Sequence, residues 1–221
     1  DSMKKKFISL LSIMLFIFSI PLSAFASSNF NLRVFHGTDN ISVLPPANNG
    51  DITIFVDSMT REQNGGIITD KGYVHFLPMI VVAQNYDLYF IAIDFLSLSE
   101  SNISEVFFKV GDNLHEISLF NYSNKFDEEL QGYDQTVMLV IDRNTINFIE
   151  DLSTHRNEPI DVYLVDSNQI IAFTMTDDVK NGTLLLYDLY KQAGGTSKNN
   201  LDMVWLYNSH APTYHVEPVN K

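Results

Sequence analysis

From residue 29 to about residue 120 the pattern of apolar and polar positions reads as strand after strand, in short alternating or continuous apolar runs. Residues 30–35 form a short apolar run that reads as a first strand, and Ile52, Ile54 and Val56 share one face of a second. Gly65-Gly66 precedes an apolar run at 67–69, and Asp70-Lys71-Gly72 turns the chain into 73–76. Leu77-Pro78 reads as an interruption. The runs at 79–83 and 88–96 are nearly continuous, which suits strands buried on both faces or covered on one by a helix. Runs at 106–110 and 114–120 flank Gly111-Asp112-Asn113 and predict a hairpin. This half reads as antiparallel β, sandwich-like.

Beyond residue 120 the pattern changes. Residues 121–132, centred on Asp127-Glu128-Glu129, read as a polar linker or a short surface helix. A β-branched strand follows at 136–141. Asp142 then caps a helix whose apolar positions Ile146, Ile149 and Leu152 recur every three residues, with His155 and Arg156 at its C-terminus and Pro159 as its stop. Strands at 160–165 and 170–175 are joined through Asp166-Ser167-Asn168. A second helix is expected over 177–193, ended by Gly194, with Asn181 as an alternative cap because of Gly182. A last strand is expected at 201–207. The order strand, helix, strand, strand, helix, strand matches a split βαβ, ferredoxin-like unit. The fold class is therefore α+β: a β-rich region at 27–125, an α+β region at 126–207 and a loose tail at 208–221.

The first 26 residues read differently. Lys4, Lys5 and Lys6 precede an apolar run over 7–20, Pro21 breaks it, and Ala24-Phe25-Ala26 supplies small residues at the outer positions. That order describes a secretory signal peptide cut after Ala26, with Asp1 and Ser2 as two extra residues ahead of the start. The run is short against the roughly 20 residues that span a bilayer, so no stable span is expected after cleavage. With no cysteine near the cut, a bacterial lipoprotein anchor is excluded. The expected destination is secreted or cell-envelope associated.

Composition sharpens this. Hydrophobic residues make up 45% and charged residues 19%, which is globular rather than disordered. The absence of cysteine removes disulfides, thiol nucleophiles and cysteine-based metal sites. The net charge is −13, and loss of residues 1–26 removes three lysines and one aspartate and makes it −15. Such a charge repels phosphate backbones and anionic lipid, so nucleic acid is not an expected partner.

Motifs for chemistry are sparse. Asp57-Ser58 and Asp166-Ser167 set acid beside hydroxyl, but at strand ends these are turn residues. Gly194-Gly195-Thr196-Ser197-Lys198 follows a helix where a phosphate loop must precede one. Of six histidines, His75 and His115 sit in alternating strands and read as solvent-facing, whereas His210, His215 and Glu217 are close enough in sequence to share a metal ion. Calcium is a possible cofactor through oxygen ligands at Asp112-Asn113, Asp127-Glu128-Glu129, Asp166-Ser167-Asn168 and Asp177-Asp178, although none forms a twelve-residue calcium loop. Glu150 and Asp151 read as a solvated helix face. Most aromatics are expected in the core, with Tyr187 and Tyr190 covering a sheet, and Trp205, Tyr207 and Tyr214 as surface-binding residues.

The expected function is a secreted bacterial, non-catalytic binding or interaction module at the cell envelope, meeting a protein or glycan at the cell surface. One alternative is a secreted hydrolase using Asp/Glu and His; another is a calcium-stabilised structural domain. A cleft holding two carboxylates, or a histidine–carboxylate pair beside a hydroxyl, would favour the enzyme. A flat aromatic patch or an exposed sheet edge would favour binding.

Overall fold

The computed structural model describes residues 30–43, 52–58, 60–61, 65–83, 86–139 and 143–195. It is an α+β fold in which every strand pairing of the described residues is antiparallel. The first sheet contains β1 (Ile41–Val43), β2 (Ile52–Asp57), β3 (Gly66–Ile68), β4 (Gly72–Ala83), β5 (Tyr86–Ser97), β8 (Leu119–Asp127) and β9 (Gly132–Leu139), in the order β1-β2-β4-β5-β9-β8 with β3 also on β4. The second contains β6 (Ile103–Val110), β7 (Asn113–Ile117), β10 (Ile160–Asp166) and β11 (Gln169–Thr174), in the order β11-β10-β6-β7. Two helices, α1 (Arg143–Thr154) and α2 (Asp177–Gln192), complete the described elements, with a 3-10 turn at Leu32–Phe35.

The ferredoxin-like arrangement is not formed by these residues. β9 joins the first sheet through β5, while β10 and β11 join the second through β6. The reason lies in pairing rather than in element order, since the inner-face row Val106, Phe108 and Val110 meets Leu164, Val162 and Ile160 across a long-range pair that no local pattern announces. Both sheets accordingly take strands from either side of residue 126. The segment at 121–132 is neither linker nor helix. It is most of β8 and the turn into β9, with Asp127 Oδ1 accepting the amides of Glu129 and Leu130 at 2.9 Å each. The expected strand at 30–35 is instead the 3-10 turn, held by the Asn31 side chain on the Arg33 amide, and it sets Phe35 flat on Phe55 at 4.2 Å.

β4 runs unbroken through Leu77-Pro78. The amide of Phe76 points towards β3, donating to Gly65 O, and Pro78 two residues later faces the same side. There β3 has ended at the Gly66–His75 pair and β2 begins only at the Val56–Met79 pair, so the missing N–H of proline falls in the gap between them. Both faces of the β4–β5 ladder are buried, Val74, Phe76 and Ile80 on one side and Leu77, Met79 and Val81 on the other. That is the outcome expected from the continuous apolar runs.

α2 begins at Thr176, whose Oγ1 accepts from the Val179 amide at 3.3 Å, with Asp177 and Asp178 in the first turn and Lys191 in the last. It lies on the Tyr89 side of the first sheet. Tyr89 donates to Thr183 O at 3.1 Å and packs edge-on against Tyr187, and burial raises its phenol well above the ordinary tyrosine value. Tyr190, fully buried, donates to the Asp87 carboxylate. Gly182 lets the helix close on the sheet, because a β-carbon there would stand 2.7 Å from Asp57 Oδ2. α1 buries Thr145, Phe148, Ile149 and Leu152, a helical stripe, and Phe148 stacks on Phe108 of β6 at 4.1 Å. Phe108 and Phe173 of the second sheet both reach Phe76 of the first, which makes one continuous core. Among the described residues no helix is long and apolar enough to cross a membrane.

Candidate functional site

Among the described residues two places gather chemistry. The first is a polar cluster where the end of α1 meets β7. His115 donates from Nε2 to Asp151 Oδ2 at 2.8 Å, beside Asn113 Nδ2 at 2.9 Å. Just past the end of the helix that carries Asp151, His155 Nδ1 lies 3.0 Å from both Asp151 Oδ1 and the Asp151 carbonyl. An ionised carboxylate only accepts, so each ring carries its hydrogen on the nitrogen facing Asp151. Gly111 lies under His155, and a β-carbon there would stand 3.4 Å from the ring and 3.7 Å from Glu158 Oε2.

Burial pushes the Asp151 carboxyl up, but hydrogen bonds from His115 and Asn113 and the histidine charges outweigh it and hold the group below the usual carboxylate range. His155 moves the other way. Its bond to the Asp151 carbonyl raises it most, desolvation opposes, and the charges of Glu158 and Asp151 leave it above the ordinary histidine value. The ionised Asp151 therefore stabilises the fold above about pH 4, a contribution lost as pH falls through its lowered value. Protonated His155 stabilises below about pH 6.5, a contribution lost as pH rises through its raised value. Both act together between about pH 4 and 6.5. Asp151→Asn is expected to lower Tm most within that window and less at about pH 9. Thermal melts across that range test this, and a Tm difference independent of pH would refute it.

The helix spacing of Asp151 and His155, four apart, was legible in the sequence. The expected solvated helix face fits Glu150, which is exposed, and fails for Asp151. His115 is not solvent-facing but partly buried, because it joins this cluster across a tertiary contact, and its ring packs against Phe148. His75 is also half-buried, with Nε2 on Thr60 O at 2.9 Å.

The second place is the outer face of the second sheet. The inner face fills the core, so the alternate residues face out. One row across the sheet is Glu116, Phe107, Tyr163 and Ala172; on one side of it lie Leu114, Lys109, Asp161 and Thr174, on the other Glu105, Val165 and Ile170. Leu114 and Ile170 are each 62% exposed, and Phe107, Tyr163 and Val165 are half-buried. The flanks are polar, with Thr174 donating to Asp161 Oδ1 at 3.0 Å. β11 lies at the edge of this sheet among the described strands.

His210, His215, Glu217, Trp205, Tyr207 and Tyr214, together with the strand expected at 201–207, lie outside the described residues. The loops considered for calcium carry local roles where they are described. Asp166 accepts from Asn102, Asn168 and Ser167 and titrates below the usual range against the pull of burial, Asp127 forms its turn, and Asp177 pairs with Lys180 at 3.0 Å. Among the described residues no group of three or more histidine, cysteine or carboxylate side chains is arranged to hold a metal ion. No protein-family model matches the chain, and neither the curated proteins nor the solved structures compared with it give a match.

Proposed function

We propose that this protein is an exported, non-catalytic interaction module that meets a partner protein at the cell envelope through the outer face of its second sheet. The observation that carries the reading is the cross-strand pair Phe107 and Tyr163, with Val165, Ile170 and Leu114 around it, on a face the core does not need. Aromatic side chains dominate interface energetics, and tyrosine is enriched among the residues that carry binding energy. The export signal read from residues 1–26 supports the location. A photo-crosslinking amino acid at position 163 is expected to yield a discrete adduct on the native cell surface, while the same group at the exposed position 150 yields none. Equal labelling from both positions, or none from either, would overturn the reading.

The competing reading, a secreted hydrolase, has one observation in its favour, the His115–Asp151–His155 array, since a carboxylate-held imidazole is a general acid–base arrangement. It requires that the protein cleave a chromogenic ester or glycoside and that Asp151→Asn abolish the turnover.

A further inference from the structure

We propose that the edge of β11 is a seat for strand addition, taking an extended segment of the partner protein that is apolar at its centre and basic at its ends. The inference rests on the reading of the second sheet as the binding surface and adds how the partner is held. The amide of Met175 donates to Ile160 O at 2.8 Å, so the backbone of residue 175, and of 173 and 171 before it, points inward to β10. The backbone N–H and C=O groups of Ile170, Ala172 and Thr174 consequently point away from β10. Their side chains lie on the exposed outer face, continuous with Tyr163 and Val165.

Sheet edges are normally guarded by lysine, proline, a bulge or an inward charge. β11 has none of these. Its sequence is Gln-Ile-Ile-Ala-Phe-Thr, and the register irregularity of this sheet lies between β10 and β6 rather than on the edge. All six residues are uncharged and four of them, Ile170, Ile171, Phe173 and Thr174, are β-branched or aromatic, which makes a template for a further strand. The partner's charge follows from what frames the edge. Asp178 is exposed just past its end beside Asp177, which pairs with Lys180, and Glu105 and Asp161 lie on the same face against a single lysine, Lys109, so the surround is net acidic. A second copy of the chain is the wrong occupant. Pairing two β11 edges antiparallel would set Asp177 and Asp178 of one copy beside the Asp166 turn of the other, between molecules that each carry −13.

The test uses the full chain and a synthetic nonapeptide of alternating valine and threonine flanked on each side by two lysines. Binding is followed by fluorescence anisotropy and by hydrogen exchange at residues 170, 172 and 174. Wild-type protein is expected to bind, with those amides protected and with affinity falling as salt rises. Methylating the peptide's backbone nitrogens along its pairing edge, or introducing Ala172→Pro, should each weaken binding at least tenfold. The proline removes only an outward-facing N–H, which an edge strand tolerates, and the methylated peptide tests the same bond with the protein unaltered. No binding, unprotected amides, or equal binding of the methylated peptide would overturn strand addition. If the Phe107→Ser/Tyr163→Ser variant loses binding while methylation does not matter, the outer face is the site and the edge is not. If only methylation and Ala172→Pro matter, the edge is the site and the face reading fails. A dimer by sedimentation that Ala172→Pro dissolves would assign the edge to a second copy and overturn the proposal.

Discussion

Phe108→Ala is expected to cost about 3–5 kcal/mol of unfolding free energy, the largest single loss among the core positions described. Phe108 is inaccessible to solvent, stacks on Phe148 at 4.1 Å and reaches Phe76 at 6.4 Å. Its directly paired neighbours across the sheet are Val162 and His115. Truncation therefore empties a site bounded by α1, by the first sheet and by two strands of its own sheet. None of these walls moves without disturbing another, so the cavity relaxes little, and the transfer and cavity costs add. At about 2–4 °C per kcal/mol for a chain of this size, Tm should fall by roughly 10 °C. Phe108→Leu keeps most of the volume and should lose far less. Urea titration of both variants checks the ordering, and a loss below about 1.5 kcal/mol for the alanine variant would show that the walls collapse inward.

Gly182→Ala is expected to destabilise by about 1–3 kcal/mol, although the same change in an exposed helix stabilises by about 1 kcal/mol. The sign reverses because α2 crosses the end of β2 at this residue. A new β-carbon would lie 2.7 Å from Asp57 Oδ2 and 2.8 Å from Thr60 Cγ2. The carboxylate cannot swing aside freely, since Asp57 is buried and its Oδ2 accepts the Thr60 amide at 2.8 Å while Thr60 Oγ1 returns a bond to the Asp57 carbonyl at 3.1 Å. Relief requires lifting the helix off the first sheet or breaking that loop. Asp57→Ala alone should also destabilise, but the two substitutions together should cost less than their sum, because the obstructing carboxylate is gone. Strict additivity in a double-mutant cycle would count against a direct clash.

Much of the architecture was legible from local pattern. The apolar runs within β4 and β5, though not their pairing, the turn at Gly111, the stripe on α1 and the glycine stop of α2 at Gly194, where φ is +90°, each follow from a few adjacent residues. What was not legible was partnership. Val106, Phe108 and Val110 announce a strand with one buried face, but nothing in them says that β10 rather than β9 lies alongside. Residues 114–120 read as one continuous strand, yet the chain passes from one sheet to the other at Ser118. Pro78 read as a break because a proline's cost depends on where its missing N–H would point, and that is set by neighbours remote in sequence. The candidate sites divide in the same way. The Asp151–His155 spacing is local, whereas the addition of His115, and the gathering of Phe107, Tyr163 and Ile170 on one surface, depend on sheet register.

The pairing of β6 with β10 also sets a clock. The central ladder of the second sheet runs from the Val110–Ile160 pair to the Ile103–Asp166 pair and joins residues 50 to 63 positions apart in the chain. A ribosome adding about 5–20 residues per second needs some 3–10 s to supply the second strand after the first. Through that interval the β6–β7 hairpin has Val106, Phe108 and Val110 without their β10 partners, and the second sheet completes only when residues up to Thr174 have been made. Late closure of this kind slows folding, because loop entropy is lost before the contacts repay it.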